Sequence, residues 1–146
     1  DALSVSKKWG IIEQPKYVQI GKNEFENNEI SFHESISEIT FDVDMVLMAG
    51  SICYIENPYK LLDEILEYDF DFILLDRMIF SKENKGDMIT VQNINLKGYS
   101  SIPSWLFSED KLLSYFYNKY HLLEDYDIPN EENNQKYEKG LIWIKK

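Results

Sequence analysis

Val43–Phe80, VDMVLMAGSICYIENPYKLLDEILEYDFDFILLDRMIF, decides the fold. It reads as strand, turn, helix, strand. Asp44–Ala49 is an apolar run without alternation, the pattern of a strand buried on both faces. Gly50-Ser51 ends it. Asn57-Pro58 reads as a helix start, with Asn57 as N-cap and Pro58 in the first turn, where its missing N–H costs nothing. Leu61, Leu62, Ile65 and Leu66 then fall on one helical face. A second apolar run, Phe72–Leu75, ends on the polar pair Asp76-Arg77. Two buried strands joined by a helix make a parallel, right-handed βαβ unit. Open α/β sheets bind ligands beyond the carboxyl ends of such strands. The first functional expectation therefore falls on the Ala49–Tyr54 loop and on Asp76-Arg77.

Outward from this unit the pattern repeats. Trp9–Glu13 is a short strand ending on an acid, and Pro15 opens a helix on which Tyr17, Val18, Ile20 and Phe25 share a face. Asn27-Asn28 breaks that helix, and Ile30–His33 is a second short strand with Glu34-Ser35 at its end. Strand, helix, strand, twice over, is an α/β order. On the carboxyl side, Met88–Ile94 reads as an exposed strand and Lys97–Pro103 as a loop. Trp105-Leu106-Phe107 is an apolar anchor, and Ser108-Glu109-Asp110 starts a helix with acids in its first turn, facing the positive end of the dipole. Its apolar face is Leu112, Leu113, Phe116, Tyr117 and Tyr120. Leu122–Asp127 and Leu141–Lys145 form an antiparallel hairpin around the polar loop Pro129–Lys136.

The 146 residues make one domain, 1–146, with 44% hydrophobic and 14% aromatic residues to fill its core. Fifteen Lys and Arg stand against 26 Asp and Glu, a net charge of −11, and no basic cluster interrupts it. That argues against nucleic acid and anionic membrane as partners; the acidity is sufficiently explained by solubility. The single cysteine, Cys53, can form no internal disulfide and sits among apolar residues, so it reads as a buried thiol rather than a nucleophile. His33 and His121 lie far apart with no Cys or His near either, so no metal site is expected. Without an apolar run near 18 residues or a leader-like start, the default expectation is the cytoplasm.

Strand-helix-strand units ending in an antiparallel hairpin resemble the class I S-adenosylmethionine-dependent methyltransferase fold. The local wording is similar to a family of bacterial methyltransferases often associated with polysaccharide biosynthesis. The stretches that carry the likeness are WGIIEQP, ISFHESI, DMVLMAGSICYIENPYKLL, ILLDR, ITVQ, YSSIPSWLFS and the closing KGLIWIKK, from Trp9 to Lys146. The expected fold is a Rossmann-like α/β sheet, mostly parallel, with a carboxyl-terminal antiparallel hairpin. One departure stands out. The fold grips its cofactor with a glycine-rich turn about 20 residues before a ribose-binding acid. Glu13 fits the acid, but only twelve residues precede it and no GxGxxG-like run occurs. The resemblance therefore implies an incomplete domain whose first strand is missing, from between the strands ending near Glu13 and Ala49. Two open sheet edges would follow, to be covered by a partner segment or a homodimer. S-adenosylmethionine is expected to bind the full-length protein and to bind this chain weakly or not at all.

Residue by residue, the resemblance implies that Glu13 accepts hydrogen bonds from the ribose, that Glu34 and Ser35 lie beside the adenine, and that Ala49, Gly50 and Ser51 pass near the methionine part. Tyr54, Arg77, Ser104 and Trp105 face the substrate, with Ser100 closing over it. Methyl transfer needs mainly positioning and in some cases a base, for which His33 and Asp76 are the candidates. Each residue also has a plainer role open to it. Glu13 reads equally as a solvated strand end, Glu34 as a loop acid, Gly50 as a turn glycine, Tyr54 and Trp105 as packing, and Asp76-Arg77 as a structural pair. The function implied is a methyltransferase domain acting on a small molecule or glycan precursor. The alternative is a noncatalytic α/β interaction module that has lost the cofactor site. A nucleotide-dependent sugar enzyme ranks last, because no phosphate loop is present.

Overall fold

A computed structural model describes residues 7–83, 86–95, 99–129 and 136–146, with the backbone alone at 94, 95, 99 and 100. The chain divides into two compact units, Asp1–Asp42 and Val43–Lys146.

In the first unit, β1 (Trp9–Ile12) and β2 (Ile30–His33) pair in parallel, Trp9 opposite Ile30, and α1 (Pro15–Glu24) joins them. Pro15 starts the helix as expected. Asn27 then turns the chain: its Oδ1 accepts the backbone N–H groups of Glu29 and Ile30. The buried face of α1 differs from the expected one. Val18 and Gly21 are buried, whereas Tyr17, Ile20 and Phe25 are exposed. Gly21 sets this orientation, because a Cβ there would lie 2.2 Å from Cδ1 of Phe32. Helix and strand touch at the one position without a side chain.

The second unit opens with β3 (Met45–Ala49), a 3-10 turn at Ile52–Tyr54, α2 (Pro58–Tyr68) and β4 (Phe72–Ser81). The hairpin β5 (Met88–Asn95) and β6 (Tyr99–Leu106) follows, then α3 (Glu109–Phe116), β7 (Tyr120–Ile128) and β8 (Lys136–Lys145). Four strands form one sheet in the order β3-β4-β8-β7. The β3/β4 pair is parallel, whereas β8 runs antiparallel to both its neighbours. The expected βαβ unit and terminal hairpin are both present, and β8 lies between β4 and β7. Among the described residues the sheets are small and mixed.

The core lies on one face of this sheet. Ile73, Leu75, Leu141 and Trp143 are buried there, together with Leu62 and Ile65 of α2 and Leu112 and Phe116 of α3. Phe116 stacks on Trp143 with ring centroids 4.9 Å apart. The buried Tyr120 hydroxyl donates to the Phe70 carbonyl at 2.8 Å. Tyr117, expected on the apolar face of α3, is instead exposed and meets Trp143 only edge-on.

Three readings of the second unit need correction. First, β3 is not buried on both faces: Met45 and Leu47 are 41% and 43% exposed, and only Met48 of this strand is buried. The strand ends its sheet, with β4 on one side and no other strand pairing it among the described residues. Second, β4 does not stop at Asp76-Arg77. It bulges there, Leu75 facing Leu141 and Met78 facing Lys139, and continues to Ser81. Third, part of Lys97–Pro103 is strand rather than loop. Pro103 faces Val91 within β6, a place open to proline because the hairpin makes β6 an edge strand. Residues 96–98 lie outside the described ones. In addition, Asn57 precedes α2 as expected but its side chain makes no capping bond.

Candidate functional site

The bulge in β4 places Asp76 and Arg77 level with the carboxyl end of β3. Ala49 faces Asp76 in the register, and the Gly50 N–H donates to the Asp76 carbonyl at 2.8 Å. Gly50 has φ +65° and Arg77 has φ +55°. Both are left-handed, which glycine adopts freely and arginine only at a cost. A Cβ on Gly50 would meet Arg77 at an ordinary 3.7 Å, so the dihedral, rather than crowding, calls for glycine here. The bulge leaves the Arg77 side chain exposed, 3.9 Å from Asp76 Oδ2 at its Nε. Asp76 Oδ1 accepts the Tyr126 hydroxyl at 2.9 Å. Loss of water, followed by the bond and the charge of Asp76, pushes the Tyr126 hydroxyl above its ordinary value.

Beyond that strand end, two side-chain bonds tie the hairpin β5–β6 to the loop after β3. The Tyr54 hydroxyl donates to Gln92 Oε1 at 2.7 Å, and Trp105 Nε1 donates to the Ile55 carbonyl at 2.9 Å. Trp105 also stacks on Phe107. The structure thus brings Gly50, Asp76 and Arg77 together, and joins Tyr54 and Trp105 to one loop-and-hairpin assembly. Ser104, buried in the same hairpin, lines a cavity of about 280 Å3 with Ile79, Thr90, Val91, Gln92, Leu106 and Lys136. The sequence reading missed Gln92 and Lys136. Gln92 lies within the ITVQ stretch that carried the resemblance, but Lys136 had no local signal, because only the β4/β8 register brings it to this wall. Only the backbone of Ser100 is described, so its proposed role falls outside the structure's side chains.

Glu13, His33, Glu34 and Ser35 belong to the first unit. Glu13 follows β1, where its N–H donates to the His33 carbonyl. Its side chain is exposed, with Oε2 accepting the neighbouring Gln14 N–H at 3.1 Å. Glu34 is exposed, Ser35 Oγ lies 2.8 Å from Ser37 Oγ, and His33 Nε2 lies 2.8 Å from Ser31 Oγ. Ala49 and Ser51 in the second unit are exposed as well. Cys53 is buried, its Sγ donating to the Gly50 carbonyl at 3.4 Å, and burial above all pushes its thiol up. That is the environment of an inert thiol. Among the described residues, no cluster of three His, Cys, Asp or Glu could hold a metal ion, and no helix is long and apolar enough to cross a membrane.

No family model matches the chain, and no curated protein matches it. Solved structures do. The glycopeptide N-methyltransferase MtfA superposes with a TM-score of 0.60 at 10% identity, over 97% of this chain and 75% of that one. This chain shares their fold. The N-terminal domain of EvdMO1 with S-adenosylhomocysteine bound gives a TM-score of 0.53 at 14% identity, over 82% of this chain and 55% of that one. A Burkholderia thailandensis 1,6-didemethyltoxoflavin-N1-methyltransferase, solved with that substrate and S-adenosylhomocysteine, gives 0.53 at 12% identity, over 92% and 58%. The chain thus spans little more than half the length of these last two.

Proposed function

We propose that residues 1–146 form one methyltransferase-type domain that uses S-adenosylmethionine and acts on a small molecule or glycan precursor. The observation that carries the reading is the shared fold with MtfA over 97% of the chain. Bound S-adenosylmethionine would supply the electrophilic methyl group, and each unit holds residues of the kind such a ligand needs. Glu13 offers an exposed carboxylate whose one hydrogen bond among the described residues is a local one to the Gln14 N–H, as a ribose acceptor needs. Glu34 and Ser35 would flank the adenine. Ala49, Gly50 and Ser51 form an open strand end without a bulky side chain at its middle, where the methionine part would pass.

Tyr54, Arg77, Ser104 and Trp105 would face the acceptor. The protein's work is then to orient the acceptor for in-line attack and to exclude water. Asp76 is the better placed base. Its Oδ2 keeps free acceptor capacity at the strand end, while Oδ1 is fixed by Tyr126. His33 is already engaged with Ser31. In the mostly parallel sheet of this reading, a partner segment or a second copy would cover the open β3 edge.

Calorimetric titration of S-adenosylhomocysteine into the full-length gene product and into residues 1–146 tests the proposal. Binding by the full-length protein, weak or absent in the shorter chain, is expected. Absence of binding by the full-length protein would discard the enzyme reading in favour of a noncatalytic interaction module.

A further inference from the structure

We propose that the cavity between hairpin β5–β6 and the β4/β8 strands binds a small hydroxylated acid, of the uronic-acid sugar type. As an acceptor site it rests on the methyltransferase reading above; as a binding site it is read from the cavity's own chemistry. Its volume, about 280 Å3, lies just below the usual range of small-molecule pockets and suits a ligand of monosaccharide size.

The lining divides by chemistry. Ile79 and Leu106 supply apolar wall, against which the C–H face of a sugar ring can pack. The Thr90 hydroxyl donates to the Ser104 carbonyl at 3.2 Å, which leaves its oxygen to accept from a ligand hydroxyl. The Ser104 hydroxyl, 3.5 Å from the Trp105 carbonyl, can turn to donate or accept. Gln92 is the reverse of Thr90. Tyr54 occupies its Oε1 at 2.7 Å, which turns the amide so that its N–H groups are left to donate.

Among the described residues Lys136 is the one charged member of the lining, and its ammonium forms no ion pair there. The nearest opposing charge on its own strand is Glu138, whose register partner is the lining residue Ile79; Glu138 has an interaction of its own. Lys136 and the Gln92 amide together present donors without acceptors, the complement of a carboxylate. A neutral sugar would satisfy Thr90 and Ser104 but leave Lys136 unmatched. A hydroxylated acid satisfies both sets.

The test is a 1H–15N NMR titration of residues 1–146 with sodium D-glucuronate and, in parallel, with D-glucose. Saturable shifts at the amides of Thr90, Gln92, Ser104 and Lys136 are expected with glucuronate, at an affinity at least tenfold above that for glucose. Lys136→Met should remove that tenfold advantage, and Lys60→Met, on the exposed face of α2, should leave it intact. No saturable shift, shifts mapping away from these residues, or equal affinity for the two sugars would overturn the proposal. The sugar comparison stands without any variant. The two readings also fail separately: glucuronate binding by residues 1–146 when the full-length protein ignores S-adenosylhomocysteine keeps the cavity and discards the methyltransferase, and the converse discards the cavity alone.

Discussion

Tyr126 on β7 reaches across Gly140 on β8 to donate its hydroxyl to Asp76 on β4, over 2.9 Å. Three strands are thereby locked at the level of the β4 bulge. The lock is possible because position 140 has no side chain: a Cβ there would fall 2.0 Å from Cζ of the Tyr126 ring.

Gly140→Ala should therefore destabilise the protein by about 1–3 kcal/mol, the usual cost of overpacking. Alanine is otherwise the better residue within a strand, so the sign of the effect isolates the clash. Tyr126→Phe removes only the hydrogen bond of an exposed side chain and should cost about 0.5 kcal/mol. Combining Gly140→Ala with Tyr126→Ala should restore most of the loss, because the two sites are coupled through one contact. Urea denaturation of the parent, the three single variants Gly140→Ala, Tyr126→Phe and Tyr126→Ala, and the double variant measures each term.

Gly50 and Arg77 form a second pair, both left-handed and joined through the Gly50 N–H bond to Asp76. Gly50→Ala should cost about 1–2 kcal/mol through its dihedral, since the space for a methyl is there. For Arg77 the order of variants reverses the usual one. Arg77→Gly releases the left-handed strain and Arg77→Ala keeps it, so the glycine variant should be at least as stable as the alanine variant, although glycine normally costs a strand about 0.5–1 kcal/mol. A glycine variant clearly less stable than the alanine one in thermal melts would show that the bulge carries no strain.

Local pattern made much of this architecture legible. Pro15 and Pro58 mark their helix starts, and the apolar spacing of Leu62 and Ile65 gives the buried face of α2. What could not be read was set by distant partners. Phe72–Leu75 carries no sign that the strand runs on through a bulge, because the continuation, Met78–Ser81, depends on pairing with β8, 55 to 61 residues later. The run Asp44–Ala49 has the composition of a doubly buried strand, yet burial depends on what lies against it. Tyr17 and Ile20 match a helical face as well as Val18 does, and only the Phe32 ring selects Gly21 instead. At the site, Gly50 and Asp76-Arg77 were reachable from strand ends, whereas Lys136 enters the cavity wall through sheet register alone.

The hairpin β5–β6 depends on its two ties to the loop after β3. Tyr54→Phe deletes one hydrogen bond while keeping the ring and should cost about 0.5–1 kcal/mol; Trp105→Phe deletes the other together with part of the indole that stacks on Phe107, and should cost more. Their local effect should exceed the global one. Amides of β5 and β6 should exchange faster in either variant and fastest in the double variant, while those of β4 and β8 remain as protected as in the parent. Hydrogen-exchange mass spectrometry reads the difference, and uniform loosening of all four strands would show that these bonds serve the core instead.

Asp87 predicts an acid response. Its side chain is only 7% exposed, and burial alone would raise its carboxyl. The Lys111 ammonium and the Ser108 N–H at 2.8 Å outweigh that effect and hold it below the usual carboxylate range. A carboxyl depressed in the folded state adds stability that is fully present above its unfolded value, about 3.9, and is lost as the pH falls through the lower folded value. Asp87→Asn keeps an acceptor for Ser108 but loses the charge facing Lys111, so it should cost about 1–2 kcal/mol at neutral pH. The gap between parent and variant should stay constant from pH 7 to about 5 and close below about 4. Urea midpoints taken across that range measure it, and a gap that persisted unchanged to pH 2.5 would mean that Asp87 contributes by shape rather than by charge.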